Sequence, residues 1–383
     1  MKRIFNILLL LLAAYGASAN DGVYYTSGNQ LVPLKETDIS VKKEILTISL
    51  QDDGFAKVDV YYEFHNPGTA TKSVTMGFEA DPPYNYDNKF YPSGKHPHIR
   101  NFVVEANGQT LTYKNGICEM DGSVMSDFID VTQYKYNDEY NRLVDKSSKD
   151  MDDTGIDFAY VYYFTMDFKP GKNIVHHTYE YTMSVTVGTS YEVPYKLSPA
   201  GRWANHQIDD FTLIIRADNT AKHFVLSPET FGNTSFAVTE GRGKIRKTTY
   251  YDIPYYEFAL RNGAVTLHKN DFVPNPESEL HIMSADYLYT FNEDSRFGDF
   301  YDRSNTLALG QWQYNDNHKQ KLPKALFKRI AKNLPFANRG HVFKDAELKK
   351  YFSSLWWYMP DESYKDDTSG FTKSDWEYVN EGK

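Results

Sequence analysis

The chain of 383 residues holds one cysteine, Cys118, so it forms no internal disulfide and must be stabilised by burial. The signatures of the common enzyme classes are missing. There is no G-x-S-x-G elbow, phosphate-binding loop, glycine-rich dinucleotide fingerprint or HExxH helix. Beyond the first twenty residues, no apolar run approaches the roughly 20 residues of a membrane-spanning helix. Cations are outnumbered, 42 Lys and Arg against 51 Asp and Glu, for a net charge of −9.

What is plentiful is aromatic: 31 Tyr and 24 Phe. In a β-rich chain these are mostly half-buried sheet residues; the alternative reading places some on an exposed sugar-stacking surface. At the N-terminus, Lys2 and Arg3 precede an apolar run through Leu12 and then Ala17-Ser18-Ala19. This pattern predicts a secretory leader over 1–19, cleaved after Ala19. No cysteine follows the cleavage point to carry a lipid. The expected location is periplasmic or secreted, with no membrane span and no nucleic-acid partner.

Strand patterns fill the next 260 residues. Ile45 to Leu50, the turn signal Asp53-Gly54, and alternating Val58, Val60, Tyr62 and Phe64 predict a hairpin with one buried face. Asn66-Pro67-Gly68 turns the chain into Ser73 to Phe78, and Asn107-Gly108 marks another hairpin. Residues 124–140 are expected to be partly helical, and acidic 145–156 reads as a loop between domains. Alternation resumes with Phe158, Tyr160, Tyr162 and Phe164. A strand with Tyr179, Tyr181, Met183, Val185 and Val187 on one face follows, then Phe211, Leu213 and Ile215. Asn262-Gly263 signals one more hairpin. The expected class is mostly β with a small α-helical C-terminal domain. Two antiparallel β-sandwiches, 20–144 and 157–284, lead through a linker at 285–321 to helical residues 322–383.

At Leu322 the hydrophobic period changes. Pro323 suits a first helical turn, and Leu326, Phe327, Ile330, Ala331 and Leu334 share one face. Pro335 and Asn338 are expected to interrupt this helix, and Gly340 tolerates positive φ. Asp345 is a natural N-cap for a second helix carrying Leu348, Tyr351, Phe352 and Leu355 inward, with Pro360 as its stop. These residues resemble the YARHG family, a small bacterial extracytoplasmic domain. From Lys324 to Pro360 the chain carries I-A-x-N-x-x-[FY]-A-x-x-G, a phenylalanine, L-x-x-Y-F and W-Y. The motif itself reads Phe336-Ala337-Asn338-Arg339-Gly340, with Asn338 and Arg339 where the family name has Arg and His. No role resting on that histidine carries over, and the resemblance implies no established activity.

Residues 20–284 resemble a second family of secreted bacterial proteins, known as domain of unknown function DUF4424. The resemblance rests on I-x-x-x-x-E-x-L-x-I at Ile39 to Ile48, V-x-V-x-Y-x-F-x-N at Val58 to Asn66, Phe102 with Asn107-Gly108, and Tyr195 to Trp203. It implies a secreted β protein and no chemistry.

Several residues invite a chemical reading. Cys118 with His176 or His177 would be a nucleophile and base, but Glu119 and Asp121 would raise the thiol pKa. His96-Pro97-His98 lacks a third ligand at a recognisable spacing, and the neighbours His176 and His177 fall on opposite faces of a strand. Asp150, Asp152 and Asp153 offer oxygens for calcium without the glycine or closing glutamate of an EF-hand. The basic run from Lys319 to Lys350 is stronger: ten Lys and Arg against Asp345 and Glu347 give a local +8. Within it, Lys328, Arg329, Lys332, Arg339 and His341, with Trp356 and Trp357 for stacking, form the candidate binding set for an anion. The plainer reading is two solvated helix faces and a core tryptophan pair, neutralised by the seven acids after Pro360.

The sequence therefore reads as a non-enzymatic envelope protein whose basic helical module binds an anionic cell-wall or surface glycan. The alternatives are an envelope hydrolase or transferase with a carboxylate site formed only in the fold, and a scaffold binding an envelope protein through its sheet edges. Intact-mass measurement of protein recovered from the envelope should give a chain starting at Asn20; an uncleaved Met1 product would refute the leader.

Overall fold

The computed structural model describes residues 28–35, 37–80, 95–96, 98–121, 124–130, 158–186, 189–217, 222–232, 234–250, 253–285 and 324–381. The leader, the loop 145–156 with Asp150, Asp152 and Asp153, and all of the linker 285–321 but Ala285 lie outside them.

Seventeen described strands alternate with turns. They are β1 (Leu31–Pro33), β2 (Ser40–Leu50), β3 (Phe55–Asn66), β4 (Lys72–Ala80), β5 (Ile99–Ala106), β6 (Gln109–Thr110), β7 (Lys114–Asp121), β8 (Val124–Asp130) and β9 (Phe158–Phe168). There follow β10 (Gly171–Thr182), β11 (Ser184–Thr186), β12 (Thr189–Tyr195), β13 (Ile208–Ala217), β14 (Lys222–Leu226), β15 (Ala237–Tyr250), β16 (Ile253–Phe272) and β17 (Leu280–Ser284). Three helices close the chain: α1 (Lys324–Asn338), α2 (Ala346–Ser354) and α3 (Lys373–Glu381). The expected class, mostly β with a small helical C-terminal domain, is what the chain adopts.

One sheet of five strands has the order β1-β4-β9-β7-β8. A sheet of twelve runs β11-β12-β17-β14-β16-β13-β2-β3-β10-β5-β6, with β15 added to β16. Strands from before and after 145–156 pair within both sheets: β10 lies between β3 and β5, and β9 between β4 and β7. The expected halves 20–144 and 157–284 therefore do not separate into two sheet stacks. They are joined by β2 and β13, which run parallel, Leu46 opposite Leu213 and Ile48 opposite Ile215.

Alternation explains each buried face. Val58, Val60, Tyr62 and Phe64 of β3 and Val175, His177, Tyr179 and Tyr181 of β10 are buried, with their neighbours turned outward. Trp203 lies against Phe64 with ring centroids 4.5 Å apart, and its indole N–H donates to the Leu31 carbonyl at 3.1 Å. Burying a side chain of this size contributes roughly 2–3 kcal/mol.

Three local expectations change. Residues Val124–Asp130 are a strand, paired with β7, where helix was expected. The β10 strand ends at Thr182, and Met183 bonds the Gly54 carbonyl, so Val185 is 42 % exposed. Asn262-Gly263 is not a turn but an irregularity within β16. Asn262 takes φ +45°, and Gly241 of β15 comes so close that a Cβ there would lie 1.6 Å from the Asn262 carbonyl oxygen.

The core also holds ionisable groups. Glu44 on β2 is fully buried, and both its oxygens meet Gln30 Nε2, at 2.7 and 2.9 Å. Burial raises its pKa to about 8, against a smaller lowering by Gln30. His177, boxed by Tyr62, Phe78, Phe102 and Tyr179, is pushed down to about 3, as is buried His223. The Glu44 contribution is complete below the unfolded carboxyl pKa and is lost as pH rises through about 8. The two histidines act oppositely, costing stability as pH falls below about 6.5. Below about pH 6.5 the two histidines outweigh the one carboxyl, so stability in urea should peak near about pH 6.5 and fall both towards acid and towards pH 8. The Glu44→Gln variant should lose that alkaline fall, worth about 2 kcal/mol between pH 6.5 and 8; an unchanged profile would contradict the buried neutral carboxyl.

Candidate functional site

The helical module is built as its sequence pattern requires. Ile330, Ala331 and Leu334 of α1 meet Leu348, Tyr351 and Phe352 of α2 in one apolar cluster, where Phe343 stacks on Phe352 at 4.5 Å. Asp345 caps α2 by accepting from the Leu348 N–H at 3.0 Å. The α1 helix continues through Pro335 to Asn338 rather than breaking there. It ends in a Schellman arrangement, with Gly340 N–H bonding the Ala337 carbonyl and His341 N–H the Phe336 carbonyl. Gly340 has φ +93°, which favours glycine. The tail after Pro360, expected only as an acidic extension, forms α3, which packs on α1.

The module does not hang free. Ala259 of β16 belongs to its apolar cluster. Trp357, 1 % exposed, and half-buried Trp356 flank His223, with ring centroids 5.3 and 5.9 Å away. Alternate residues of β15 reach the segment after α2. Lys244 Nζ donates to the carbonyls of Trp356 and Tyr358 at 2.7 and 3.0 Å, and the Arg246 guanidinium lies 4.3 Å over the Trp356 ring. Arg242 and the buried Arg261 both pair with Asp361, at 3.1 and 3.3 Å. Burial lowers the Lys244 and Arg261 pKa values, while Ser363 followed by the two arginines keeps Asp361 ionised.

The candidate binding residues meet different fates. Arg339 is 8 % exposed and turned inward. It bonds the carbonyls of Pro335 and Gly370 and the Asp375 carboxylate (2.7 Å), and stacks on Phe371. His341 pairs through Nδ1 with Asp366. Arg329 holds Asp345 and Glu347, both at 2.6 Å, locking the start of α2 beside α1. Trp356 and Trp357 are interface residues. Lys328 and Lys332, one helical turn apart, have no carboxylate partner among the described residues, nor do exposed Lys344, Lys349 and Lys350. The tail's acids thus take Arg339, His341 and the two sheet arginines, Asp345 and Glu347 take Arg329, and these five lysines are left.

Other sequence candidates separate. His176 reaches Asp59 on the exposed face of β10 while His177 is buried, as their alternation requires. Cys118 lies on β7, in the sheet that does not contain these histidines, and its side chain is outside the described structure. His96 and His98 meet edge to face with ring centroids 5.9 Å apart, and among the described residues no three metal-ligating side chains cluster. Arg242, Lys244, Arg246, Arg261 and His223 were not singled out from sequence. The period-two spacing of Arg242, Lys244 and Arg246 was the available signal.

Among the described residues no helix is long and apolar enough to cross a membrane. The YARHG domain model matches residues 309–382, and the model for Domain of unknown function (DUF4424) matches residues 19–196. The chain carries both regions. No curated protein matches it. A crystal structure of a candidate nutrient binding protein from Legionella pneumophila is similar at 16 % identity and TM-score 0.48, over 95 % of this chain and 100 % of that one. The M1 zinc metallopeptidase of Deinococcus radiodurans is similar at 12 % identity and TM-score 0.25, over 66 % of this chain and 43 % of that one.

A Cβ added at Gly340 would lie 1.8 Å from Arg261 Nη1. Gly340→Ala should therefore cost about 2–4 kcal/mol, combining a positive-φ penalty with displacement of a buried charged donor. Gly54→Ala, at φ +84° with nothing within 4 Å, should show only the backbone part, about 1–2 kcal/mol. Urea unfolding of the full chain compares them; equal losses would remove Arg261 from the account.

Proposed function

We propose that this chain is a non-enzymatic envelope protein in which a broad β scaffold holds a YARHG domain so that its lysines meet an anionic cell-wall or surface glycan. The observation that carries the reading is the selective neutralisation of the module. Asp361, Asp366 and Asp375 are engaged by arginines and by His341, and Asp345 and Glu347 by Arg329. Lys328 and Lys332 of α1, Lys344 before α2, and Lys349 and Lys350 of α2 have no carboxylate partner among the described residues.

Compact, strongly hydrated ammonium groups suit a repeated polyanion, where charge density counts for more than one fixed geometry. Contacts of this kind weaken as salt rises. The bonds and ring contacts from β15, β14 and β16 support presentation on a fixed scaffold, so little ordering cost falls on binding. The sheet-edge alternative has less support, because the end strands β6 and β11 of the large sheet span only two and three residues and the side chains of the edge strand β15 are engaged by the helical module.

Sedimentation of the mature protein with isolated cell walls tests this. Co-sedimentation at low salt should fall at high salt. Lys328→Ala/Lys332→Ala should weaken it roughly two- to thirtyfold, from two exposed contacts of about 0.2–1 kcal/mol each. Arg339→Ala should lower stability instead, since that side chain is occupied internally. Binding indifferent to salt and to the lysines, or no binding, would overturn the reading.

A further inference from the structure

The outward face of the large sheet carries a second feature, distant in sequence from the helical module. Four adjacent strands align Ile45, Tyr61, His176 and Glu105 in one cross-strand row. The β5–β6 hairpin, with Asn107 and Gly108 both at positive φ, borders this row. The result is an open groove of about 490 Å³ lined by Tyr61, Glu105, Asn107, Gly108, Ile174 and His176. That volume lies within the roughly 300–1,000 Å³ of small-ligand sites.

The chemistry of the lining is specific. Tyr61 and Ile174 offer an apolar floor, and exposed Val103 lies on the opposite side of the row, across from Thr178. Most polar groups around the floor are already committed. Tyr61 donates its hydroxyl to Glu63 at 2.8 Å, and Lys172 holds the same carboxylate at 2.6 Å. His176 Nε2 meets Asp59 at 2.9 Å. Asn107 accepts from the Ile174 N–H and donates to Asn173, so it fixes the wall. These bonds hold the Tyr61 and His176 rings in place. Glu105, exposed in the same row, has no partner among the described residues and keeps its carboxylate acceptors free.

We propose that this groove binds a single saccharide ring. A pyranose presents a flat C–H face, which suits the Tyr61–Ile174 floor, and a rim of hydroxyl donors, which suits the acceptors of Glu105. The imidazole nitrogen of His176 not used by Asp59 supplies a second polar contact. A simple alkylammonium would satisfy Glu105 but leave the apolar floor uncovered. The site is separate from the helical lysines and does not depend on their role.

Titration of the ¹⁵N-labelled mature chain with chitotriose and with maltotriose, followed by amide shifts, tests it. At least one sugar should shift Asn107, Gly108 and Ile174 in a saturable way. Tyr61→Ala should weaken binding by at least about tenfold, and Glu105→Gln, at an exposed and unpaired position, by about three- to tenfold. Lys328→Ala/Lys332→Ala should leave it unchanged, which separates this site from wall binding by the helices. No shifts with either sugar, shifts insensitive to both groove substitutions, or shifts produced by cadaverine instead would each overturn the proposal.

Discussion

The fold depends on the pairing of β2 with β13. These strands come from distant parts of the chain and run parallel, whereas the other described strand pairs are antiparallel. Through this seam the β3-β10-β5-β6 side continues into the β16-β14-β17-β12-β11 side. Hydrophobic pairs such as Leu46 with Leu213 and Ile48 with Ile215 lie along it, buried at 0 % exposure. The same strand carries Glu44 into the interior, opposite Phe211. Keeping a carboxyl there is tolerable because it stays neutral at ordinary pH and has an amide partner in Gln30. Gln30 belongs to the segment Gly28–Pro33, which threads among the core tyrosines, the Asn29 N–H bonding the Tyr179 hydroxyl. The beginning of the described chain is therefore part of the core.

The helical module extends this continuity through charge. Arg261 stands on β16, nearly buried, and meets both the Gly340 turn and Asp361. A buried guanidinium is costly unless it is paired, so the Asp361 segment and the glycine turn are held together. Gly340 thus answers two demands: a left-handed backbone at the end of α1, and no side chain where Arg261 packs. Arg339 stabilises the same turn from the other side by gathering the tail. Gly340, which matches the motif, and Arg339, which stands where the chain departs from it, are in this way architectural residues.

The two surfaces proposed above for partners, both among the described residues, differ in chemistry. The helices present ammonium groups suited to a polyanion. The sheet face presents a fixed aromatic ring, an apolar floor and one unpaired carboxylate, suited to a neutral, hydroxyl-rich ring. Both lie on rigid elements, so each needs little reorganisation to bind.

Local patterns were legible where one residue spacing had one physical meaning. Strict alternation placed Val58, Val60, Tyr62 and Phe64 inward and separated His176 from His177. The three-and-four spacing placed Ile330, Leu334, Leu348 and Phe352 in a helical core, and Asp345 was readable as a cap. The Asn262-Gly263 signal was ambiguous because positive φ serves a bulge as well as a turn, and only Gly241 packing against it decides which. Strand partners were not legible, since alternation fixes a face but not a neighbour, and so the joining of the halves through β2 and β13 was decided only by the fold. The +8 run fixed the local charge of the helical region. Which charges are spent was decided by tertiary contacts, because Asp361, Asp366 and Asp375 reach their partners only when the tail folds back. The Tyr61–His176–Glu105 row exists only once three strands come into register.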